Sequence, residues 1–251
     1  GGSLTTHVAP PESLDAFLAS LQSRLEAVAP QAFLKLEWRW QDHEDWARLW
    51  RRGLGLRKIT SRLFVAPSWE DFQPGDGEIL VVLDPGMAFG TAEHATTRSC
   101  LRALDRWVAP GSRIADVGAG SGILSIAAAL LGAREVVALE SDGPSCEAAE
   151  ANLIRNGVGD RVSILHATVT SDEALPGAPF QGVVANLQTR LLVRLLPALR
   201  ASLGCRGWLV GSGILVEERE EVQAAAEDAA MTLSSDEEED GWWTGVFTLP
   251  S

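Results

Sequence analysis

The chain has 251 residues, 46% of them hydrophobic, and no apolar run approaches the roughly 18 to 20 residues of a membrane helix. This length accommodates one large α/β domain with a second, smaller part. The formal net charge of −13 disfavours a nucleic-acid backbone, which is bound through cationic contacts, and suits a basic protein partner, although acidity also serves solubility alone. We therefore expect a soluble, monomeric, cytoplasmic protein with no direct nucleic-acid or membrane contact.

Cysteines and histidines are few and scattered. The three cysteines form no CxxC pair, and the four histidines show no metal-binding spacing, so we expect neither disulfides nor a metal site. A reducing compartment fits this pattern best. The first residues, Gly1 to Ser3, lack a methionine and an apolar segment, and we interpret them as an expression remnant, not a signal peptide.

The amino-terminal part predicts a small α+β module. Apolar residues at helical spacing predict a helix over 12–28, alternation predicts a strand over 33–40, and a short helix is expected over 44–53. We predict that residues 1–65 form a substrate-recognition module with a linker helix. Its tryptophans either fill the seam between two domains or clamp a substrate chain.

From residue 78 onward short strands alternate with helices, which is typical of a parallel sheet with crossovers. Strands are predicted at 79–84, 113–118, 135–140, 161–167, 181–187, 207–212 and 242–247, and helices at 96–107, 122–131, 143–155, 189–203 and 217–230.

The end of the chain predicts an antiparallel hairpin. Met231 to Leu233 and residues 242–247 are both strand-like, with no room for a helix between them. The acidic run 236–240 is expected at the solvated turn of this hairpin.

A glycine cluster, 116-DVGAGSG-122, follows a predicted strand and opens a helix. Glycine lets the backbone turn tightly and approach a ligand at the carboxyl end of a strand, where open α/β sheets bind ligands. The spacing departs from the GxGxxG of dinucleotide-binding folds, because Ile123 stands where the third glycine would be. A nicotinamide cofactor is therefore disfavoured.

Two polar residues end neighbouring strands. Glu140 lies 22 positions after Gly118, where a carboxylate can accept both hydroxyls of a ribose; a solvated strand end, with Asp142 serving instead, is the alternative. Asn186 lies at the carboxyl end of its predicted strand, at the edge where the preceding strands also end, although an asparagine at a strand end is often only a turn former.

The series DVGAGSG, ALESD and VVANL resembles the seven-stranded S-adenosylmethionine-dependent methyltransferases. The stretch LDPGMAFGTAEHATTRSCLRAL and 211-GSGIL-215 resemble the PrmA family, which methylates large-subunit ribosomal protein eleven. The resemblance implies a Rossmann-like, mostly parallel sheet with a terminal antiparallel hairpin over residues 66–251. It also implies a protein-lysine or amino-terminal amine N-methyltransferase acting on a basic, ribosomal substrate.

The same resemblance places S-adenosyl-L-methionine contacts on Thr97, Gly118, Glu140 and Asn186. Gly118 and Gly120 would let the backbone lie against the cofactor, and Asn186 would hold its methionine end or line the path to the methyl group. If a helix begins near Thr96, its free N–H groups would bind the methionyl carboxylate. The chain departs from the family at Ala92, which replaces a glycine; at Glu140, which replaces an aspartate; and in its reduced amino-terminal module.

Methyl transfer to an amine requires alignment and a neutral nucleophile more than a strong base. His94 is a candidate acceptor for the amine proton, or else it caps or packs the loop. The chain lacks tyrosine and the Pro-Pro of the Asn/Asp-Pro-Pro-Tyr motif after Asn186, which disfavours a planar nitrogen acceptor. A small-molecule methyltransferase and a non-catalytic cofactor-binding module remain as alternatives.

Overall fold

The computed structural model describes residues 13–28, 37–38, 55–84 and 92–250, and the chain divides into two units, residues 1–49 and 50–251. In the first unit, helix α1 (Leu14–Val28) confirms the helix predicted over 12–28, and no α1 side chain is buried. The strand predicted over 33–40 lies outside the described residues except at Glu37 and Trp38. The linker helix predicted over 44–53 lies outside them entirely.

A small sheet opens the described part of the second unit. It contains β1 (Arg57–Lys58), β2 (Leu63–Ala66) and β3 (Ile79–Val82), with β2 antiparallel to β1 and parallel to β3. The strand predicted at 79–84 was expected in the main sheet and instead pairs with β2, whose four residues are all buried. The predicted division after residue 65 falls within β2, and the assignment of 1–65 and 66–251 as domains stays a prediction.

The main sheet has seven strands in the order β6-β5-β4-β7-β8-β10-β9, with the pairs from β6 to β8 parallel and β10 antiparallel to both of its neighbours. This confirms the predicted fold class. The strands are β4 (Arg113–Val117), β5 (Glu135–Glu140), β6 (Val162–His166), β7 (Phe180–Asn186), β8 (Leu203–Leu215), β9 (Thr232–Glu239) and β10 (Trp242–Thr248). The helices are α2 (Ala95–Trp107), α3 (Ile123–Leu130), α4 (Gly143–Arg155), α5 (Thr189–Ala201) and α6 (Arg219–Asp228), the last preceded by a 3₁₀ turn, Val216–Glu218.

Both faces of this sheet are covered, and neighbouring strand residues divide between two core clusters. In β4, Ile114 packs with the residues of α2 and α3, whereas Ala115 packs with those of α5 and α6. Val136 and Val137 in β5 divide in the same way. Successive side chains of a strand point to opposite faces, so a strand covered on both sides has to be apolar throughout.

The terminal hairpin is present, but its acidic run is not a loop. Asp236 to Glu239 belong to β9, and the turn is formed by Asp240 and Gly241. Side chains of β9 alternate between exposed and half-buried, and the half-buried Glu237 and Glu239 pair with arginines of α2. The prediction of a solvated loop is therefore wrong. Residues 236–239 form a strand because ion pairs with arginines of α2, and not apolar packing, hold its half-buried face against the helix.

Candidate active site

Three parallel strands, β5, β4 and β7, lie side by side and end at one edge of the main sheet. Helix α3, which follows β4, packs on one face of the sheet, and α5, which follows β7, packs on the other. The carboxyl ends of β4 and β7 therefore lie at the topological switch point of the sheet. Open α/β sheets bind ligands in such a crevice, beyond the carboxyl ends of the strands. The residues predicted for the site lie in the segments around it.

The glycine loop after β4 requires glycine at Gly118. Its φ is +75°, in the left-handed region, and a Cβ there would lie 2.6 Å from Leu187 Cδ2. Gly120 also has a positive φ, of +54°. The loop thus approaches the residue that follows Asn186 closely, because no side chain intervenes.

Glu140, the last residue of β5, turns its carboxylate toward the glycine loop. Its Oε2 accepts from the Gly120 N–H at 2.9 Å, and its Oε1 accepts from the N–H groups of Ser141 and Asp142 at 2.7 and 2.9 Å. A carboxylate has about four acceptor positions. Three backbone donors therefore fix the orientation of Glu140 and leave Oε2 with room for one further donor.

Asp142, the alternative acid near the end of β5, has a different role. It is the N-cap of α4, and its Oδ2 accepts from the Ser145 N–H and hydroxyl at 2.9 and 2.6 Å. The hydrogen bond from the Ser145 side chain is the main cause that lowers the pKa of Asp142. This carboxylate is committed to the helix start, so Glu140 is the acid that faces the loop.

His94, Thr96 and Asn186 form one hydrogen-bonded chain at the start of α2. The Asn186 Nδ2 donates to Thr96 Oγ1 at 3.2 Å, and Thr96 Oγ1 lies 2.7 Å from His94 Nδ1. His94 is the N-cap of α2, with Nδ1 accepting from the Thr96 N–H at 3.4 Å. The predicted sites at His94 and Asn186, 92 residues apart in sequence, are therefore joined through Thr96.

The hydrogen bond from the Thr96 N–H assigns the tautomer of a neutral His94 ring, because Nδ1 is then the acceptor and the proton lies on Nε2. The ring also packs edge-on against Trp242, with centroids 4.9 Å apart. His94 thus caps and packs the segment, as the alternative interpretation expected, and its role as a proton acceptor stays a prediction.

Three buried side-chain oxygens have no hydrogen-bond partner among the described residues. Two of them belong to the segments of this site, namely Thr97 Oγ1 in the first turn of α2 and Asp116 Oδ1 in β4, and the third is Ser112 Oγ, which directly precedes β4. Thr97 was predicted as a cofactor contact, and Asp116 was not. The other Asp116 oxygen accepts from the Ser125 hydroxyl at 2.7 Å. Burial raises the pKa of Asp116 to about 6, with the Ser125 hydrogen bonds opposing the rise and the Glu140 charge adding to it.

Buried polar atoms without a partner are uncommon, and one explanation is a ligand or water molecule that binds them. Asp116 had a sequence signal, because it is an acidic residue between the apolar Ala115 and Val117, immediately before the glycine loop. Within the described ranges no group of three histidines, cysteines or acids could hold a metal ion. Residues 85–91, between β3 and α2 in the sequence, lie outside the described residues.

The strand order, the antiparallel terminal hairpin, and a glycine loop facing an acid at the end of the next strand define the Rossmann-like, seven-stranded class of methyltransferases. The sequence matches the family model described as "Ribosomal protein L11 methyltransferase (PrmA)" over residues 10–249. The chain belongs to this family.

Individual relatives agree with this assignment. A ribosomal protein L11 methyltransferase of Symbiobacterium thermophilum is 41% identical over 218 residues, covering 87% of this chain and 68% of the relative. One of Geobacter sp. (strain M21) is 46% identical over 189 residues, covering 73% and 60%. This chain therefore spans 60 to 68% of the length of these two relatives.

Among solved structures, the crystal structure of a ribosomal protein L11 methylase from Lactobacillus delbrueckii subsp. bulgaricus superposes with a TM-score of 0.72 at 29% identity. The match covers 78% of this chain and 100% of that one. In the part of this chain that the structure describes, no helix is long and apolar enough to cross a membrane.

Proposed function

We propose that this chain transfers methyl groups from S-adenosyl-L-methionine to lysine and amino-terminal amines of a basic ribosomal protein, large-subunit protein L11. The observation that carries the proposal is that two buried oxygens of this site, Thr97 Oγ1 and Asp116 Oδ1, have no partner among the described residues in a chain of this family. Leaving a buried acceptor unsatisfied costs about 1 to 3 kcal/mol, which a donor on a bound ligand recovers. The cofactor carries such donors in its ammonium and hydroxyl groups.

The residues of the site fit the parts of the cofactor. Glu140 Oε2 accepts a ribose hydroxyl, and Gly118 and Gly120 let the backbone lie against the ligand. The first turn of α2, with Thr97, supplies N–H groups and the positive end of the helix to the carboxylate. When bound, the cofactor supplies a methyl group activated on a sulfonium.

Asn186 orients the incoming nucleophile. Its Nδ2 is held by Thr96 Oγ1, which leaves Oδ1 as the acceptor on this side chain. An amine that donates a hydrogen bond to Oδ1 is positioned with its lone pair directed away from that bond. Alignment of nucleophile and methyl carbon at about 3 to 3.5 Å is the main contribution an enzyme makes to such a displacement.

The amine has to be neutral, and a lysine amine in water has a pKa of about 10.4. His94 is the second catalytic candidate, as an acceptor for the proton that the amine loses. Its Nδ1 accepts from Thr96, so accepting a proton at Nε2 requires His94 first to release this cap. Deprotonation by desolvation of the amine is the alternative route.

The names of the relatives support the choice of ribosomal protein L11 as substrate. The charge of this chain, −13, complements a basic protein. We infer that the chain acts in the cytoplasm as a monomer, without direct contact to nucleic acid or membrane.

Calorimetric titration with S-adenosyl-L-methionine, followed by transfer of labelled methyl to a ribosomal-protein fraction, tests the proposal. Binding and labelled protein are the expected results. Asn186→Ala should lower the turnover number by about 100-fold or more, as the loss of one positioning group does, with a smaller change in cofactor affinity. Gln181→Ala, exposed at the opposite end of β7, is the matched control and should retain turnover.

Three results would argue against the proposal in different ways. No cofactor binding would refute the enzyme assignment. Label in metabolite pools with blank proteins would indicate a small-molecule methyltransferase. Cofactor binding without any labelled acceptor would indicate a non-catalytic binding module.

A further inference from the structure

Arg98 uses its guanidinium to join two segments that are distant in sequence. On one side, Nη1 donates to the carbonyl oxygens of Ala92, at 3.4 Å, and Glu93. On the other side, Nε donates to Glu239 Oε1 at 2.8 Å and Nη2 to Asp240 Oδ2 at 2.9 Å. Its side chain is 16% exposed, so Arg98 is a largely enclosed link between the segment before α2 and the end of β9.

Arg102 lies one helical turn further along α2 and shares with Arg98 the contact to the acids of β9. Its Nη2 pairs with Glu239 and, at 2.5 Å, with Glu237, and it donates to Ser99 Oγ at 3.0 Å. No contact of Arg102 reaches the segment before α2 in the described structure. Burial acts to raise the pKa of Glu239, but Arg102 and Arg98 outweigh it, so that this pKa is lowered and the acid is ionised.

Residues 92–94 are also held from the other side. The Glu93 carboxylate forms a bidentate ion pair with Arg57 of β1, with distances of 2.7 and 2.5 Å. His94 packs on Trp242, the first residue of β10, and caps α2. The position and direction of the α2 amino terminus therefore depend on this segment. The Arg98 side chain binds the carbonyl oxygens of the two residues before the N-cap, Ala92 and Glu93.

We propose that Arg98 is a positioning residue for the cofactor site: by binding the Ala92 and Glu93 carbonyls it fixes the N-cap segment, and with it the first turn of α2 that meets the ligand. Arg98 does not touch the ligand. The inference rests on the proposed function, because it concerns the same cofactor site. Two planar N–H directions are needed at once, toward the carbonyls and toward the acids, which a lysine ammonium cannot reproduce.

The pair Arg98→Gln and Arg102→Gln tests this assignment, because both variants remove an arginine that binds Glu239 and only one removes the carbonyl contacts. The readouts are the Kd of S-adenosylhomocysteine by calorimetry and the midpoint of thermal unfolding. We expect Arg98→Gln to weaken binding by about tenfold or more, the size of losing a hydrogen bond to a charged group, and Arg102→Gln to stay within about twofold of wild type. Both variants should unfold at similarly lowered temperatures.

Arg98→Lys and Arg102→Lys form a second pair that keeps both charges, for use if a glutamine variant does not fold. Arg98→Lys is expected to retain most of the thermal stability without restoring the affinity. Equal losses of affinity in the two positions, or wild-type affinity in the Arg98 variants, would overturn the inference and leave the proposed function intact. Failure of the wild-type chain to bind S-adenosylhomocysteine would refute both.

Discussion

Replacing Asp116 with asparagine removes a buried carboxylate whose ionisation opposes folding. Asp116 is fully buried, one oxygen accepts from Ser125, and the other has no partner in the described structure. Burial raises its pKa from 3.8 to about 6, against the effect of the Ser125 hydrogen bonds and with a contribution from the Glu140 charge. One pKa unit corresponds to 1.36 kcal/mol, so the ionised form costs roughly 3 kcal/mol of folding free energy.

The sign follows from proton binding. Below pH 3.8 the carboxyl is protonated in both the folded and the unfolded chain, and it contributes nothing to pH dependence. Between pH 3.8 and about 6 only the folded chain holds the proton, so stability falls as pH rises. Above this window the full cost is present. Asparagine does not titrate, so its variant lacks this loss.

Urea unfolding of wild type and Asp116→Asn without cofactor, at a series of pH values from 4 to 8, measures the effect. The difference in unfolding free energy, variant minus wild type, should increase by roughly 2.4 kcal/mol across the series, because part of the cost is already present at pH 4. Asp228→Asn, at an exposed position at the end of α6, controls for the loss of one carboxylate from an acidic chain. A difference for Asp116→Asn that does not change with pH would show that the Asp116 carboxyl does not bind its proton more tightly in the folded chain.

Two further predictions concern Glu140 and Gly213. Glu140→Ala should weaken cofactor binding by about 10- to 100-fold in calorimetry, since it removes a charged acceptor. Glu140→Asp, which introduces the usual residue of the family, should weaken binding less, and equal losses of affinity in the two variants would contradict this. Gly213→Ala would place a Cβ 2.3 Å from the Leu187 carbonyl oxygen, next to Asn186, at a φ of +83°. Gly241→Ala has a similar φ of +80° but no atom within 4 Å, so it should cost about 1 to 2 kcal/mol in urea unfolding and Gly213→Ala clearly more; similar costs would be evidence against the clash.

The strands and helices of the main sheet were predictable because apolar strand segments alternate with segments of helical spacing along the sequence. Residues 135–140 and 143–155 were predicted as strand and helix and are observed as Glu135–Glu140 and Gly143–Arg155. Continuous apolar strands separated by helical patterns have few other ways to fold. The strand predicted at 207–212 is longer, Leu203–Leu215, because β8 pairs with β7 on one side and β10 on the other.

Errors occurred where partners distant in sequence decide the structure. Nothing in residues 79–84 indicates whether that strand joins the main sheet or pairs with β2, and β2 was not predicted at all. The carboxylates of Glu237 and Glu239 form ion pairs with arginines of α2. For Glu239 these arginines lie more than 130 positions earlier in the chain. A charge run is normally a solvated segment, and here tertiary ion pairs override that preference.

The candidate site was predictable in its residues but not in its connections. The positions Gly118, Gly120 and Glu140 followed from the glycine loop and the strand ends. That the Glu140 carboxylate already accepts three backbone N–H groups, and that Thr96 joins Asn186 to His94, required the folded geometry. Their roles in binding and catalysis stay predictions.

The proposed methylation of ribosomal protein L11 can be measured by incubating the purified protein with this chain and S-adenosyl-L-methionine, followed by mass spectrometry of intact L11 and its peptides. We expect a mass increase by whole methyl groups, localised to lysine side chains or the amino terminus, and abolished or strongly slowed by Asn186→Ala. Unmodified L11, in the presence of a chain that binds the cofactor and methylates another acceptor, would contradict it.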